Sequence, residues 1–232
     1  MSAHIATVTL NPALDVHYTL SEFLLGKENY PETRKKLAAG KGVNVSRVLK
    51  RHGVDAPAYM LMGKENGKEY LSLLESYDVP YGTVEVPGSV RENLSVNCPT
   101  LHQETRLCMK GFQVTPEHGR ALIRLVMDQV PAGAYIALCG SLPTGILGCD
   151  FVGYCKMLQD AGYRVIVDCP SLSLTELQEI QPWLIKPNEK EAMTLLGLAE
   201  RMAGEEIAKK LTEIFPQVIV SLGPDGLVYA NK

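Results

Sequence analysis

The chain alternates between two patterns of apolar positions. Short continuous apolar runs occur at Ile5–Leu10, Ala58–Met62, Tyr135–Cys139, Val165–Asp168, Trp183–Ile185 and Val218–Leu222. Segments with the helical spacing of one apolar face lie among them: Gly42–His52, Gly67–Tyr77, Thr115–Val130, Phe151–Ala161, Glu189–Leu196 and Glu205–Ile214. Continuous apolar strands alternating with amphipathic helices predict an α/β layer fold around a mainly parallel sheet. A final strand–turn–strand is predicted from Val218–Leu222, Gly223–Gly226 and Leu227–Tyr229.

Four further segments follow a period of two: Ala13–Leu20, Tyr81–Val86, Arg91–Cys98 and Glu104–Met109. Half-polar strands of this kind predict a small antiparallel sheet beside the main one. It forms either a lid over a cleft or an extension of the core sheet. The charged run Arg34-Lys35-Lys36 reads as a solvated loop.

At 232 residues, 46% hydrophobic and 21% charged, the chain has the make-up of a globular protein with a sizeable core. A net charge of -3 gives no excess of cations for phosphate backbones, so nucleic acid is not the expected partner. No run is long and apolar enough to span a bilayer, and the first residues lack a signal-peptide pattern. The six cysteines include no Cys-x-x-Cys pair and stand among apolar neighbours, so they are expected to be reduced and buried in a cytoplasmic protein. The five histidines have no metal spacing.

Candidate chemistry sits at the ends of predicted strands. Gly40-Lys41-Gly42-Val43-Asn44 opens a helix whose free N–H groups and positive end suit an anion or a hydroxyl-rich ligand. It is not a Walker A loop, since Gly42 stands where Ser or Thr is needed, nor a dinucleotide fingerprint, since Val45 replaces the third glycine. Asp15 follows the first strand and can accept from sugar hydroxyls, or serve an ordinary turn. Asp15 and Lys41 are both expected in turns. Asn188-Glu189-Lys190-Glu191 fits a capping box, and competes with a role for Asn188 and Glu191 around a hydrated magnesium ion. Ser221-Leu222-Gly223-Pro224-Asp225-Gly226 composes a β-turn. Arg91, Asn93 and Arg106 lie in the alternating strands, where an arginine facing a cleft suits a phosphate.

Taken together and in order, these segments resemble the sugar-kinase family of ribokinase and phosphofructokinase-B. The resemblance rests on Thr9-Leu-Asn-Pro-Ala-Leu-Asp15, Gly40-Lys-Gly-Val-Asn44, Arg91-Glu-Asn93, Gly140-Ser-Leu-Pro143, Val167-Asp168, Lys186-Pro-Asn-Glu-Lys-Glu191 and Ser221-Leu-Gly-Pro-Asp-Gly226. It is nearest the 1-phosphofructokinase and tagatose-6-phosphate kinase branch. The resemblance implies a three-layer ribokinase-like α/β/α fold with a β lid around 13–20 and 81–110. It implies in-line transfer of the ATP γ-phosphoryl group to a hydroxyl of a ketohexose phosphate, with Mg2+. Asp15, Gly40, Lys41, Asn44, Arg91, Asn93 and Arg106 would hold the sugar phosphate. Lys186, Asn188, Glu191, Ser221, Gly223 and Gly226 would serve ATP, with the magnesium at Asn188 and Glu191 through water. A homodimer through the lid is implied too. Ribose or nucleoside phosphorylation, and sugar-phosphate binding without turnover, are the alternatives.

The sequence departs from the family pattern twice. Ala39 replaces the first glycine of Gly-Gly-Lys-Gly, with either a narrower freedom in that loop or a change of sugar preference expected. The Gly-Ala-Gly-Asp segment that carries the family's general base does not occur. Residues 1–232 therefore read as a carbohydrate kinase domain without its C-terminal part, with the base expected beyond Lys232 and this chain expected to be inactive as it stands.

Overall fold

The computed structural model describes residues 4–200 and 202–232. Along the chain run β1 (Ile5–Thr9), β2 (Ala13–Thr19), β3 (Thr33–Ala39), α1 (Lys41–Arg51), β4 (Ala58–Gly63), α2 (Gly67–Glu75), β5 (Tyr81–Val86), β6 (Arg91–Cys98) and β7 (Gln103–Leu107). There follow α3 (Pro116–Gln129), β8 (Tyr135–Cys139), α4 (Gly148–Asp160), β9 (Arg164–Asp168), α5 (Leu174–Ile180), β10 (Leu184–Ile185), α6 (Glu189–Leu196), α7 (Gly204–Thr212), β11 (Gln217–Ser221) and β12 (Leu227–Asn231).

The apolar runs assemble into an eight-stranded sheet of order β12-β11-β10-β9-β8-β1-β4-β5. Its strands are parallel except β12, which returns antiparallel to β11 with Ile219 opposite Tyr229. The crossovers run in opposite directions from β1, through α1 and α2, and from β8, through α4 to α7; connections of the usual right hand that run in opposite directions place their helices on opposite faces. Both faces of the central strands are thus covered, which is why β4 is buried along its whole length. Helix α3 buries Leu122, Ile123 and Val126; each such side chain contributes about 1.5–3 kcal/mol of transfer free energy.

A second, four-stranded sheet has the order β3-β2-β6-β7, with β2 parallel to β6 and the other pairs antiparallel. It is the lid. Its membership corrects two expectations. Residues 81–86 do not belong to it: β5 pairs in parallel with β4 at the edge of the main sheet, Ala58 opposite Tyr81. An edge strand is half-exposed, and so it alternates as a lid strand does. Arg34, Lys35 and Lys36 are not in a loop but in β3. Lys36 is mostly buried and forms ion pairs with Glu69 of α2, at 2.8 Å, and Glu92 of β6.

One element is added and one expectation changes. Helix α5 arises from a Ser173/Glu176 capping box that the apolar pattern alone did not mark. All six cysteines are free, but only Cys98, Cys139 and Cys155 are buried, while Cys108 and Cys149 are exposed. Among the described residues, no helix is long and apolar enough to cross a membrane.

Candidate active site

The chain leaves β1 towards β4 on one side and leaves β8 towards β9 on the other. The carboxyl ends of neighbouring strands β1 and β8 therefore diverge, and an open α/β sheet binds ligands in the crevice at such a switch point. Asn11 follows β1, Gly140 and Ser141 follow β8, Asp168 ends β9, and α1 begins there with Lys41. The lid strands β2 and β6 start at the same crevice with Ala13 opposite Arg91.

Glycine sets the approach of α1. Gly40 has φ 142, a conformation that side chains disfavour, and a Cβ at Gly42 would stand 2.5 Å from Thr9 Oγ1 and 3.2 Å from the Val8 carbonyl. The helix start is thereby pressed onto β1. No side chain caps it, which leaves first-turn N–H groups for a ligand. Asn44 lies in this turn, and its Oδ1 is buried without a partner. Ala39 costs the loop nothing: it closes β3 opposite Ala13, is buried, and its carbonyl accepts from Tyr70 Oη at 2.7 Å. The glycine it replaces in the family pattern is not needed in that extended backbone.

Asp15 and Lys41 are not turn residues: Asp15 lies within β2, and Lys41 is the first residue of α1. Asp15 stands opposite Asn93, whose Nδ2 donates to Asp15 Oδ1 at 3.0 Å. Asn93 Oδ1 in turn accepts from the Met109 amide at 3.3 Å. The Arg91 guanidinium crosses from lid to core, with Nη2 donating to the Asn11 carbonyl at 3.2 Å and to Ser141 Oγ at 3.3 Å. Burial lowers the Arg91 pKa, against the opposing field of Cys108 and Asp15. Arg106 pairs with Ser95, which puts it on the lid face of Asn93 and Asp15, but it is exposed and stands apart from the Arg91–Ser141 contact.

Across the crevice, Asp168 is only 6% exposed and accepts from two lysines. Lys41 Nζ lies 2.7 Å from Oδ1, and Lys186 Nζ lies 3.1 Å from Oδ2. Lys41 Nζ is also 3.7 Å from Glu191 Oε1. Burial pushes the Lys41 pKa down, but the bond to Asp168 and the fields of Asp168 and Glu191 outweigh it, so the net shift is upward. A cavity of about 190 Å3, lined by Asp168, Cys169, Leu172, Lys186, Glu191 and Leu195, adjoins the cluster. Burial and Asp168 push the Cys169 thiol up to about 11, against bonds from Ser171.

Asn188 and Glu191 form the capping box read from the sequence: Asn188 Oδ1 accepts from the Glu191 amide at 2.8 Å, and Glu191 Oε2 accepts from the Asn188 amide at 3.0 Å. Glu191 Oε1 remains turned to Lys41, so this carboxylate fits a metal through water better than by direct ligation. Among the described residues, no group of three His, Cys, Asp or Glu side chains could hold a metal. Ser221 donates its amide to the Pro187 carbonyl at 3.1 Å, which sets the β11 turn beside α6. Gly223 and Gly226 give that turn its positive φ values, 64 and 91.

The structure thus gathers Asp15, Asn93 and Arg91 with the Gly40–Asn44 helix start, and Lys186 with Glu191, at one crevice. Asp168, Asn11 and Ser141 were absent from the residues picked out for binding. All three stand in segments that carry the resemblance, and Asp168 also ends an apolar strand run, but only the fold shows which partners they meet.

The eight-stranded sheet, the lid and the switch-point crevice define a ribokinase-like α/β protein. The chain belongs to the pfkB family of carbohydrate kinases, whose sequence profile matches residues 10–232. It is 30% identical over 235 residues to the 1-phosphofructokinase of Haemophilus influenzae, covering 99% of this chain and 74% of that protein. It is 28% identical over 232 residues to the D-tagatose-1-phosphate kinase of Bacillus licheniformis, covering 98% and 75%. The crystal structure of phosphofructokinase-2 from Escherichia coli in complex with fructose-6-phosphate superposes with a TM-score of 0.91 at 28% identity, over 100% of this chain and 78% of that one.

Proposed function

We propose that the protein is a ketohexose-phosphate kinase that takes the γ-phosphoryl group of ATP to a hydroxyl of a 1-phosphofructokinase-type substrate. The observation that carries this reading is Arg91 reaching from the lid to Ser141 of the core, beside the Asp15–Asn93 pair and the uncapped α1 start. A planar guanidinium and a hydroxyl suit the phosphate the sugar already bears. Asp15 accepts from sugar hydroxyls, and Asn93 fixes its rotamer. Gly40, Lys41 and Asn44 bring helix N–H groups and a cation to the same ligand. Lys186 faces the nucleotide phosphates, with Ser221, Gly223 and Gly226 in the turn beside them.

ATP supplies the transferable group, and Glu191 and Asn188 are placed to hold the waters of a magnesium ion. Both ends of the Asp168 carboxylate are committed to lysines, so in this reading Asp168 is not the group that takes the hydroxyl proton. The Gly-Ala-Gly-Asp segment to which the family resemblance assigns that role is not among the 232 residues. Ligand binding is therefore the decisive readout. The reading further makes the protein a cytoplasmic homodimer joined through its lid.

A thermal-shift panel with fructose 1-phosphate, fructose 6-phosphate, tagatose 6-phosphate, ribose and adenosine tests the proposal. Stabilisation by one or more ketohexose phosphates is expected. Stabilisation by ribose or adenosine and by no sugar phosphate overturns it.

A further inference from the structure

We infer that Asp168 is a positioning residue that ties the two halves of the crevice together, holding Lys41 for the sugar phosphate and Lys186 for the nucleotide. The inference rests on the proposed function for the identity of the two ligands. Its geometry is independent of that reading. Each carboxylate oxygen takes a different ammonium, Oδ1 that of Lys41 and Oδ2 that of Lys186. The two lysines come from separate elements, the start of α1 and the segment after β10, and Asp168 ends the strand that lies between β8 and β10.

A lysine ammonium rides on a flexible stem and has no preferred direction of its own. Lys41 and Lys186 are both about one-third exposed, so packing alone does not fix them. Asp168, almost fully buried, is fixed. An ammonium has three donors, and Asp168 takes one from each lysine. Lys41 also faces Glu191 at 3.7 Å, and the donors that remain on each ammonium are open to a ligand, so Asp168 anchors the lysines without using them up. A carboxylate this buried also requires its cations, because an unpaired buried charge is strongly unfavourable. The pairing is thus maintained before either ligand arrives, and neither ligand has to order its lysine on binding.

The substitution Asp168→Asn keeps the shape and removes the charge. Calorimetric titration with fructose 1-phosphate is made on the wild type, Lys41→Met, Asp168→Asn and the double variant. Titration with ATP in excess EDTA is made on the matching set with Lys186→Met. EDTA removes divalent ions, so the ATP arm reads the lysine and not a metal. Asp168→Asn is expected to weaken each ligand about tenfold when the lysine is present. It is expected to cause no further loss when that lysine is methionine.

A merely structural Asp168 would weaken binding equally in both backgrounds; that result, unchanged affinity, or tighter binding by Asp168→Asn overturns the inference. Should Asp168→Asn fail to fold in thermal melts, Asp168→Glu carries the same cycle, since it keeps the charge and displaces it by one methylene. A wild type that binds neither ligand overturns the proposed function and this inference together. A wild type that binds both, with an indifferent Asp168→Asn, removes the inference alone.

Discussion

Asn93 donates to Asp15 from the directly opposite position on a neighbouring parallel lid strand, at 3.0 Å. The bond aims the carboxylate and satisfies the amide at once, so each residue serves the other in the absence of any ligand. Two consequences for mutation follow, one for binding and one for stability.

Asp15→Ala is expected to weaken ketohexose-phosphate binding about tenfold to a hundredfold, the worth of a charge-assisted hydrogen bond of roughly 1.5–3 kcal/mol. It also strands the buried Asn93 amide, so the apo protein loses about 1–3 kcal/mol and its melting temperature falls by several degrees. The double variant with Asn93→Ala recovers part of that stability and none of the affinity. Calorimetry and thermal melts of the three variants check this; full recovery of binding in the double variant would count against a role for Asp15 on the ligand.

Arg91→Lys keeps the charge and loses the planar fork that reaches Asn11 and Ser141. The affinity for fructose 1-phosphate is expected to fall about tenfold or more, while the weaker binding of unphosphorylated fructose changes little. Equal losses for both sugars, measured by calorimetry, would show that Arg91 shapes the lid and not the phosphate subsite.

The Lys41 pKa in the folded protein lies above the ordinary value of 10.5. A lysine shifted upward contributes stability that is fully present below the ordinary value and is lost as the pH rises through the folded one. The difference in urea midpoint between the wild type and Lys41→Met should therefore be constant at neutral pH and shrink above about pH 10.5. A difference that is flat up to about pH 11.5 would mean that the Lys41–Asp168 pair is not held in solution.

Much of this was legible in the chain. The main strands announced themselves as apolar runs because both sheet faces are covered, and the Asn188/Glu191 box because its partners are local. Lys36 was not legible as a strand residue: its charge is neutralised by Glu69 and Glu92, which only the fold brings near. Edge strand β5 imitated a lid strand because half-exposure gives the same alternation wherever it arises. Asp168 was visible as a strand end but not as the meeting point of two lysines, since pairs so remote in sequence leave no periodic trace.

The lid carries Leu101, Leu107 and Met109 about half-exposed. Apolar groups on a small sheet gain by being covered, and a dimer through the lid is expected. Light scattering at micromolar concentration should give twice the chain mass, with Leu107→Asp shifting it towards the monomer. A monomeric wild type would refute this assembly.

The ion pairs of Lys36 have a mechanical consequence. The pair with Glu69 fastens β3 to α2 and the pair with Glu92 ties β3 to β6 within the lid, whereas every residue of β7 at its outer margin is exposed. A sheet held at Lys36 and Arg91 and free along β7 is expected to yield least beside those contacts and most at β7. Arg91 and Asp15 are tied by bonds to the core or to a neighbouring strand, while Arg106 lies on the exposed β7. In the proposed reading, substrate grip would thus fall to the anchored strands of the small sheet and give to its free margin.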